Sequence, residues 1–186
     1  MSSLIPSGSA SGTGSMTLAA PVTNSNQTAT LPDASGTVMV SGNMPAFSAY
    51  RSGSAQSISS STWTKAQVNT EDFDTANAFD STTNYRFTPQ VAGYYAITAS
   101  ISYDSSSSFG VGNFAAIYKN GSNYRVASVY VTSGATAAIP CVSAIVYLNG
   151  STDYVELYGY VQGGGGMLYA TTYSSTAFSG ALVRAA

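Results

Sequence analysis

The chain has 186 residues, 44% of them hydrophobic and only 8% charged, with a net charge of −2, no His and a single Cys; a typical soluble domain carries roughly 25% charge. Its six Lys and Arg are scattered, which excludes a basic stripe for nucleic-acid phosphates. The absence of His excludes Ser–His and Cys–His nucleophile pairs and His-ligated metal.

The length suits one ordinary domain plus a tail, and the composition changes where such a boundary would fall. Residues 1–44 contain no aromatic side chain and one charge, Asp33. The first 15 residues are rich in Ser and Gly and are expected to be flexible without a partner. Next come the apolar–Thr alternations Met16-Thr17-Leu18 and Thr37-Val38-Met39-Val40, broken by Pro21, Pro32 and the run Asp33–Gly36. These read as strand fragments that cannot bury a core alone, so residues 1–44 are expected to form an extended anchor or shaft segment that pairs with other copies or a docking surface. The start MSSLIPSGSASG lacks the basic and apolar stretches of a signal peptide. No apolar run approaches the ~20 residues of a membrane-spanning helix, and no membrane insertion is expected.

From residue 45 to 186 the pattern is almost entirely β. Expected strands are 46–51, 62–69, 85–88, 94–103, 113–119, 124–131, 139–148, 153–161, 167–173 and 176–184. The clearest is the run from Tyr95, where Tyr95, Ile97, Ala99, Ile101 and Tyr103 alternate with a more polar face. Asn120-Gly121 and Asn149-Gly150 each join two alternating runs, a strong hairpin signal because both residues tolerate positive φ. About ten short strands without a helical period predict an all-β antiparallel sandwich or barrel.

Some side chains stand out along this pattern. In 153–161, Val155, Leu157 and Val161 share one face and Tyr154, Tyr158 and Tyr160 the other. A second face rich in Tyr suits subunit contact, or Tyr simply decorating a β surface. Cys141 lies in the apolar run IPCVSAIVYL and reads as a small buried hydrophobe. Glu71, Asp72 and Asp74 form an acidic cluster that reads as a solvated loop or a calcium-stabilised turn, while Asp80, Asp104, Asp153 and Glu156 are scattered. Two carboxylates would suffice for glycoside hydrolysis, but neither an enzyme nor a cofactor or metal is the expectation here.

Several short motifs occur in a telling order: Ala46-Phe47-Ser48-Ala49, Tyr85-Arg86-Phe87-Thr88-Pro89, Val91-Ala92-Gly93-Tyr94-Tyr95, Ile117-Tyr118-Lys119-Asn120-Gly121, Leu148-Asn149-Gly150 and Ser175-Thr176-Ala177-Phe178-Ser179-Gly180-Ala181-Leu182. The series resembles the trimeric jelly roll of complement globular heads and tumour necrosis factors. It departs from that pattern at Ala92, where Pro is usual, and at Gly150-Ser151-Thr152-Asp153, a loosened Gly-Asp pair. No collagen-like repeat precedes the head. The resemblance implies a jelly-roll sandwich, a tight entry at Gly93, core entry of the Tyr95 face, and Phe47 and Phe178 in the core or at a threefold axis.

The segments Leu18-Ala19-Ala20-Pro21 and Thr30-Leu31-Pro32-Asp33-Ala34-Ser35-Gly36-Thr37-Val38 resemble a segment common in bacteriophage tail and fibre proteins. Together the two likenesses imply a homotrimeric virion fibre or spike. Its residues 1–44 would dock other virion proteins, and its head would mediate attachment to a host-surface glycan or protein. A virus protein assembled in the host cytoplasm and released by lysis also fits a secreted-type surface without an export signal. The alternatives are a head-decoration or baseplate protein binding only virion partners, and a glycan depolymerase. Candidate trimer or core-packing residues are Phe47, Tyr95, Tyr158, Tyr160 and Phe178; candidate recognition loops are 104–112 and 162–168.

Overall fold

The computed structural model of the chain describes residues 39–104, 111–131, 137–163, 166–168 and 175–186, with positions 11–14, 17, 22, 24–26 and 28. The chain divides into two units, Met1–Gly36 and Thr37–Ala186. Most of the expected 1–44 segment therefore lies outside the described residues, and the architecture below is that of the second unit.

A 3-10 turn, Ser41–Asn43, precedes the strands. Among the described residues these are β1 Ala46–Tyr50, β2 Gln56–Ile58, β3 Thr64–Lys65, β4 Thr70–Asp74, β5 Phe79–Asp80, β6 Arg86–Phe87, β7 Ala92–Ser100, β8 Tyr103–Asp104, β9 Gly112–Lys119, β10 Ser122–Tyr130, β11 Ala137–Ala138, β12 Cys141–Asn149, β13 Val155–Gln162, β14 Gly166–Leu168 and β15 Ala177–Ala185. All pairings are antiparallel. One sheet has the order β12-β7-β15-β1-β4, and a second runs β10-β9-β13-β6-β5 with β3 also on β13. A third, small sheet runs β11-β8-β14-β2. The two large sheets form the jelly-roll sandwich that the motifs imply.

Alternation builds the core. In β7, Gly93, Tyr95, Ile97 and Ala99 point inward while Tyr94 and Thr98 are exposed. Facing them from β13 and β9 are Val155, Leu157, Val161 and Ile117, all buried. Phe47 is at the centre, stacked on Phe87 with centroids 4.3 Å apart, on Phe79 at 5.0 Å, and edge-on to Phe178 at 5.2 Å. Such ring contacts add roughly 0.5–1.5 kcal/mol each beyond the area they bury. The Tyr95 hydroxyl donates to the Val91 carbonyl at 2.7 Å, and burial pushes its phenol up to about 12.

Two glycines have identifiable jobs. A Cβ on Gly93 would meet Leu182 Cδ1 at 2.7 Å, where β15 bulges between Leu182 and Arg184. Gly150 adopts φ +70° after β12, and a Cβ there would meet the Val91 carbonyl carbon at 2.7 Å. Asn120 and Gly121, with φ +51° and +76°, close the β9–β10 hairpin as their sequence predicts.

The structure corrects several expectations. The segment 62–69 contributes only Thr64–Lys65 as strand. The acidic cluster is neither loop nor calcium turn but the edge strand β4, paired with β1 through a register shift between Ser48 and Ala49. Cys141 is exposed rather than buried, because the inward positions of β12 are Val142, Val146 and Leu148. Much of the candidate loop 162–168 is strand, with Gln162 ending β13 and Gly166–Leu168 paired to β2, and residues 164–165 lie outside the described set. Of the candidate loop 104–112, residues 105–110 also lie outside it. The expected strand 167–173 is described only as far as residue 168.

Candidate functional site

A sandwich has two outward faces, and here each is built differently. On the five-stranded sheet, strand register lines side chains up in rows across β15, β7 and β12. One row is Ala181, Ala96 and Ile145; the next toward one end is Arg184, Tyr94 and Tyr147. The Tyr94 and Tyr147 rings lie 5.5 Å apart. Ile145 is 55% exposed, and Val183, in the β15 bulge, is 60% exposed. Toward the other end the rows shrink to Ser179, Thr98 and Ser143, then Ala177, Ser100 and Cys141. The Thr98 and Ser179 hydroxyls share a 2.8 Å hydrogen bond. These small residues line a shallow depression formed by Thr98, Ser100, Cys141, Ser143, Ala177 and Ser179. The face therefore grades from bulky and apolar to small and hydroxylic, with Arg184 as the one charge in those rows.

The outward face of the six-stranded sheet carries rings packed on one another. Phe114, Ala116 and Tyr118 alternate along β9, opposite Tyr160, Tyr158 and Glu156 of β13. Tyr118 and Tyr158 stack at 4.0 Å, and Phe114 meets Tyr160 edge-on at 5.4 Å and Tyr130 at 5.9 Å. Trp63 leans over them, 5.1 Å from Tyr160, 5.9 Å from Tyr118 and 6.2 Å from Phe114. Lys65 Nζ pairs with the buried Glu156 carboxylate beside this cluster and donates to the Asn84 carbonyl at 3.2 Å. Burial raises the Tyr158 phenol, with the Glu156 charge adding to it; burial raises Tyr118 too, against a hydrogen bond from Asn123.

Trp63 is held there by a braced excursion between β1 and β4. Arg51, itself buried, donates from Nη1 to the Gln67 carbonyl at 3.0 Å and from Nη2 to Ser54 at 2.5 Å. Loss of hydration lowers its pKa. The Ser52 amide donates to Asn69 Oδ1, and Asn69 Nδ2 returns a bond to the Ser52 carbonyl. Gln56 clamps the returning limb, donating to the Lys65 carbonyl and accepting from the Gln67 amide, both at 2.8 Å. On the sheet side, the Ser61 and Ala66 amides donate to the Val161 and Leu157 carbonyls.

The acidic residues tie backbone together. Asp74 Oδ2 accepts from the Ala78 and Phe79 amides at 2.5 and 2.7 Å. Asp72 accepts from the Ser48 hydroxyl at 2.8 Å. Asp80 accepts from the Thr83 and Thr82 amides and from Asn84, which holds its carboxyl well below the usual range. Asp153 clasps two turns: it accepts from Asn120 Nδ2 at 2.8 Å, pairs with Lys119 at 2.9 Å, and accepts from the Asn149 amide at 3.2 Å. The Asn120 bond first and Lys119 second depress its pKa. Among the described residues, no three Asp, Glu or Cys side chains converge on a point that could hold a metal ion.

Of the five side chains singled out from the sequence, Phe47, Tyr95 and Phe178 are inside the sandwich. Tyr158 and Tyr160 lie outside it, together in the ring cluster. Sequence reasoning missed Trp63, Phe114, Tyr118 and Tyr130 as their neighbours. The alternation of Phe114 and Tyr118 was the available signal, but only register shows that they meet β13.

No family model and no curated protein matches the chain. Solved structures do. Murine APRIL at pH 5.0 superposes with a TM-score of 0.57 at 7% identity, covering 75% of this chain and 99% of that one. Eiger TNF from S. frugiperda gives 0.54 at 10%, covering 75% and 90%. The PRD1 vertex protein P5 gives 0.54 at 14%, covering 75% and 97%. At these identities the likeness shows a shared fold, the tumour necrosis factor-like jelly roll.

Proposed function

We propose that the chain is a bacteriophage virion protein, a homotrimeric fibre or spike whose jelly-roll head projects from the particle and attaches it to the host surface. Residues 1–44 join it to other virion proteins. The observation that carries this reading is the outward face of β12, β7 and β15, uncharged in its rows but for Arg184, with Tyr94, Ile145, Tyr147 and Val183 exposed at one end and a small-residue depression at the other. Apolar patches of this kind on a soluble surface mark contact sites. In a closed ring, each copy sets one patch against a different patch of its neighbour, and a face graded from large to small side chains offers both. The fold shared with a phage vertex protein and the fibre-like N-terminal motifs give the assembly its setting. Three linked heads would bind a surface with avidity that one lacks.

Light scattering on the full-length protein tests this directly. A trimer that dissociates on Ile145→Lys, with the far-ultraviolet spectrum unchanged, supports it. A monomer at all concentrations overturns it and favours a decoration or baseplate protein whose partner is another virion component.

A further inference from the structure

We propose that the ring cluster on the six-stranded sheet is a carbohydrate-binding platform for a neutral hexopyranose oligosaccharide. This rests on the attachment reading above and deepens it by placing recognition on a sheet face rather than at the loops. Trp63, Phe114, Tyr118, Tyr130, Tyr158 and Tyr160 form one continuous outward surface. Each described ring except Tyr130 is half-buried, and Tyr130 is 64% exposed. Ring faces carry partial negative charge and attract the weakly positive C–H groups on one side of a pyranose. The Tyr hydroxyls, with Ser128 and Asn123 opposite Phe114 and Tyr118 on β10, provide polar groups at hydroxyl height.

Charge decides the ligand class. Each charge beside the rings already has a partner: Lys65 and the buried Glu156 are closed on each other, Arg86, opposite Glu156, lies 4.3 Å over the Tyr154 ring, and Lys119 pairs with Asp153. An acidic sugar would have to draw these cations from the carboxylates and the ring they already contact, and a basic one would have to displace Lys65 from Glu156, so the complementary ligand is uncharged. Rigidity also favours a small ligand. A short oligosaccharide makes few contacts and cannot offset the ordering of a floppy loop. Here the excursion is already fixed by Arg51, Gln56 and Asn69 on one side and by amide bonds to β13 on the other.

Trp63 is the one Trp of the chain, so its fluorescence reports the platform without a label. Full-length protein is titrated with glucose-, galactose- and mannose-based neutral hexamers, and with alginate as the anionic comparator. The expected result is a saturable change at millimolar concentration for at least one neutral sugar and none for alginate. Tyr130→Ala, at an exposed position, should weaken it about tenfold, the equivalent of ~1.4 kcal/mol. Trp63→Ala, followed by calorimetry after a check of fold, should abolish it. Absence of saturable change with every neutral hexamer, preference for alginate, or undiminished binding by Tyr130→Ala would overturn the proposal. Light scattering on the same samples separates the two readings. A trimer that binds no sugar removes the platform and leaves the spike, whereas a monomer that binds sugar removes the trimer and leaves the platform.

Discussion

The two outward faces of the sandwich are made from the same materials and end in opposite conditions. Both alternate with the strands beneath them, and both carry Tyr. On the six-stranded sheet the rings stack and tilt against one another and against Trp63, so much of their apolar area is already covered. On the five-stranded sheet Ile145, Val183 and Tyr147 stand more than 40% exposed, and of the bulky side chains only Tyr94 and Tyr147 meet ring to ring. Apolar area that covers itself costs little to leave at a surface. Area that does not cover itself is stabilised by a partner. The comparison teaches that aromatic content alone does not identify a subunit interface: rings that have already found each other make a firm, half-covered surface suited to a small ligand, whereas rings and aliphatics that have not call for a protein partner.

The most severe way to break the comparison is to remove what both faces share. Phe47→Ala should destabilise the head by about 3–5 kcal/mol, because the cavity would open among three other rings. Urea unfolding monitored by circular dichroism would read it, and a loss under about 1 kcal/mol would contradict a central role for Phe47. Next, a charge placed on each face should separate them. Ile145→Lys should lower the solution mass to that of a monomer while changing the stability of the head by no more than about 0.5 kcal/mol. Tyr130→Lys should leave the mass unchanged.

Smaller effects sharpen the picture. Tyr158→Ala removes the ring stacked on Tyr118 and should cost about 1–2 kcal/mol in thermal unfolding, with no effect on association. Asp80 and Asp153 have folded pKa values depressed by hydrogen bonds. Their stabilisation is complete above the unfolded carboxylate value of about 4 and is lost as the pH falls through the lower folded values. Unfolding free energy should therefore be flat near neutrality and fall in acid. Asp153→Asn, which loosens the clasp between the β9–β10 and β12–β13 turns, should make that fall shallower. The gentlest probe is Cys141, exposed on the five-stranded face. Its alkylation should slow as protein concentration rises, and a rate independent of concentration would remove it from the interface.

Much of the fold was legible because its strands alternate. The runs 94–103, 113–119, 139–148 and 153–161 lie within two residues of β7, β9, β12 and β13 at each end except where β7 stops at Ser100. Asn120-Gly121 marked its hairpin for a backbone reason that needs no tertiary information. Asn149-Gly150, expected as a second hairpin, instead turns the chain from β12 in one large sheet to β13 in the other, with positive φ at Gly150 and not at Asn149. Local signals failed where long-range pairing decides. Thr70–Asp74 reads as a charged loop and becomes a strand only because β1 offers it an edge, and its charges suit an edge exposed to water. Cys141 was assigned by the apolar character of its neighbours, when parity with Val142 places it outside. Of the site, Tyr158 and Tyr160 were visible as an outward pair. Their companions come from β9 and β10, far apart in sequence, and Trp63 from an excursion whose clamps are single side-chain bonds.

The hydrogen bonds at the two Asn-Gly turns also govern how the protein ages. Asn followed by Gly is the sequence most prone to spontaneous deamidation, because the Gly amide nitrogen can swing onto the side-chain carbonyl and close a succinimide ring. Both side chains are held against that motion. Asn149 Oδ1 accepts from the Ser151, Thr152 and Asp153 amides while its Nδ2 donates to Thr152. Asn120 is tied through Nδ2 to Asp153 and through Oδ1 to the Tyr154 amide. Conversion to aspartate or isoaspartate at these positions is therefore gated by opening of the turns. A mass shift of one dalton, accumulating over storage, would count how often each turn comes undone.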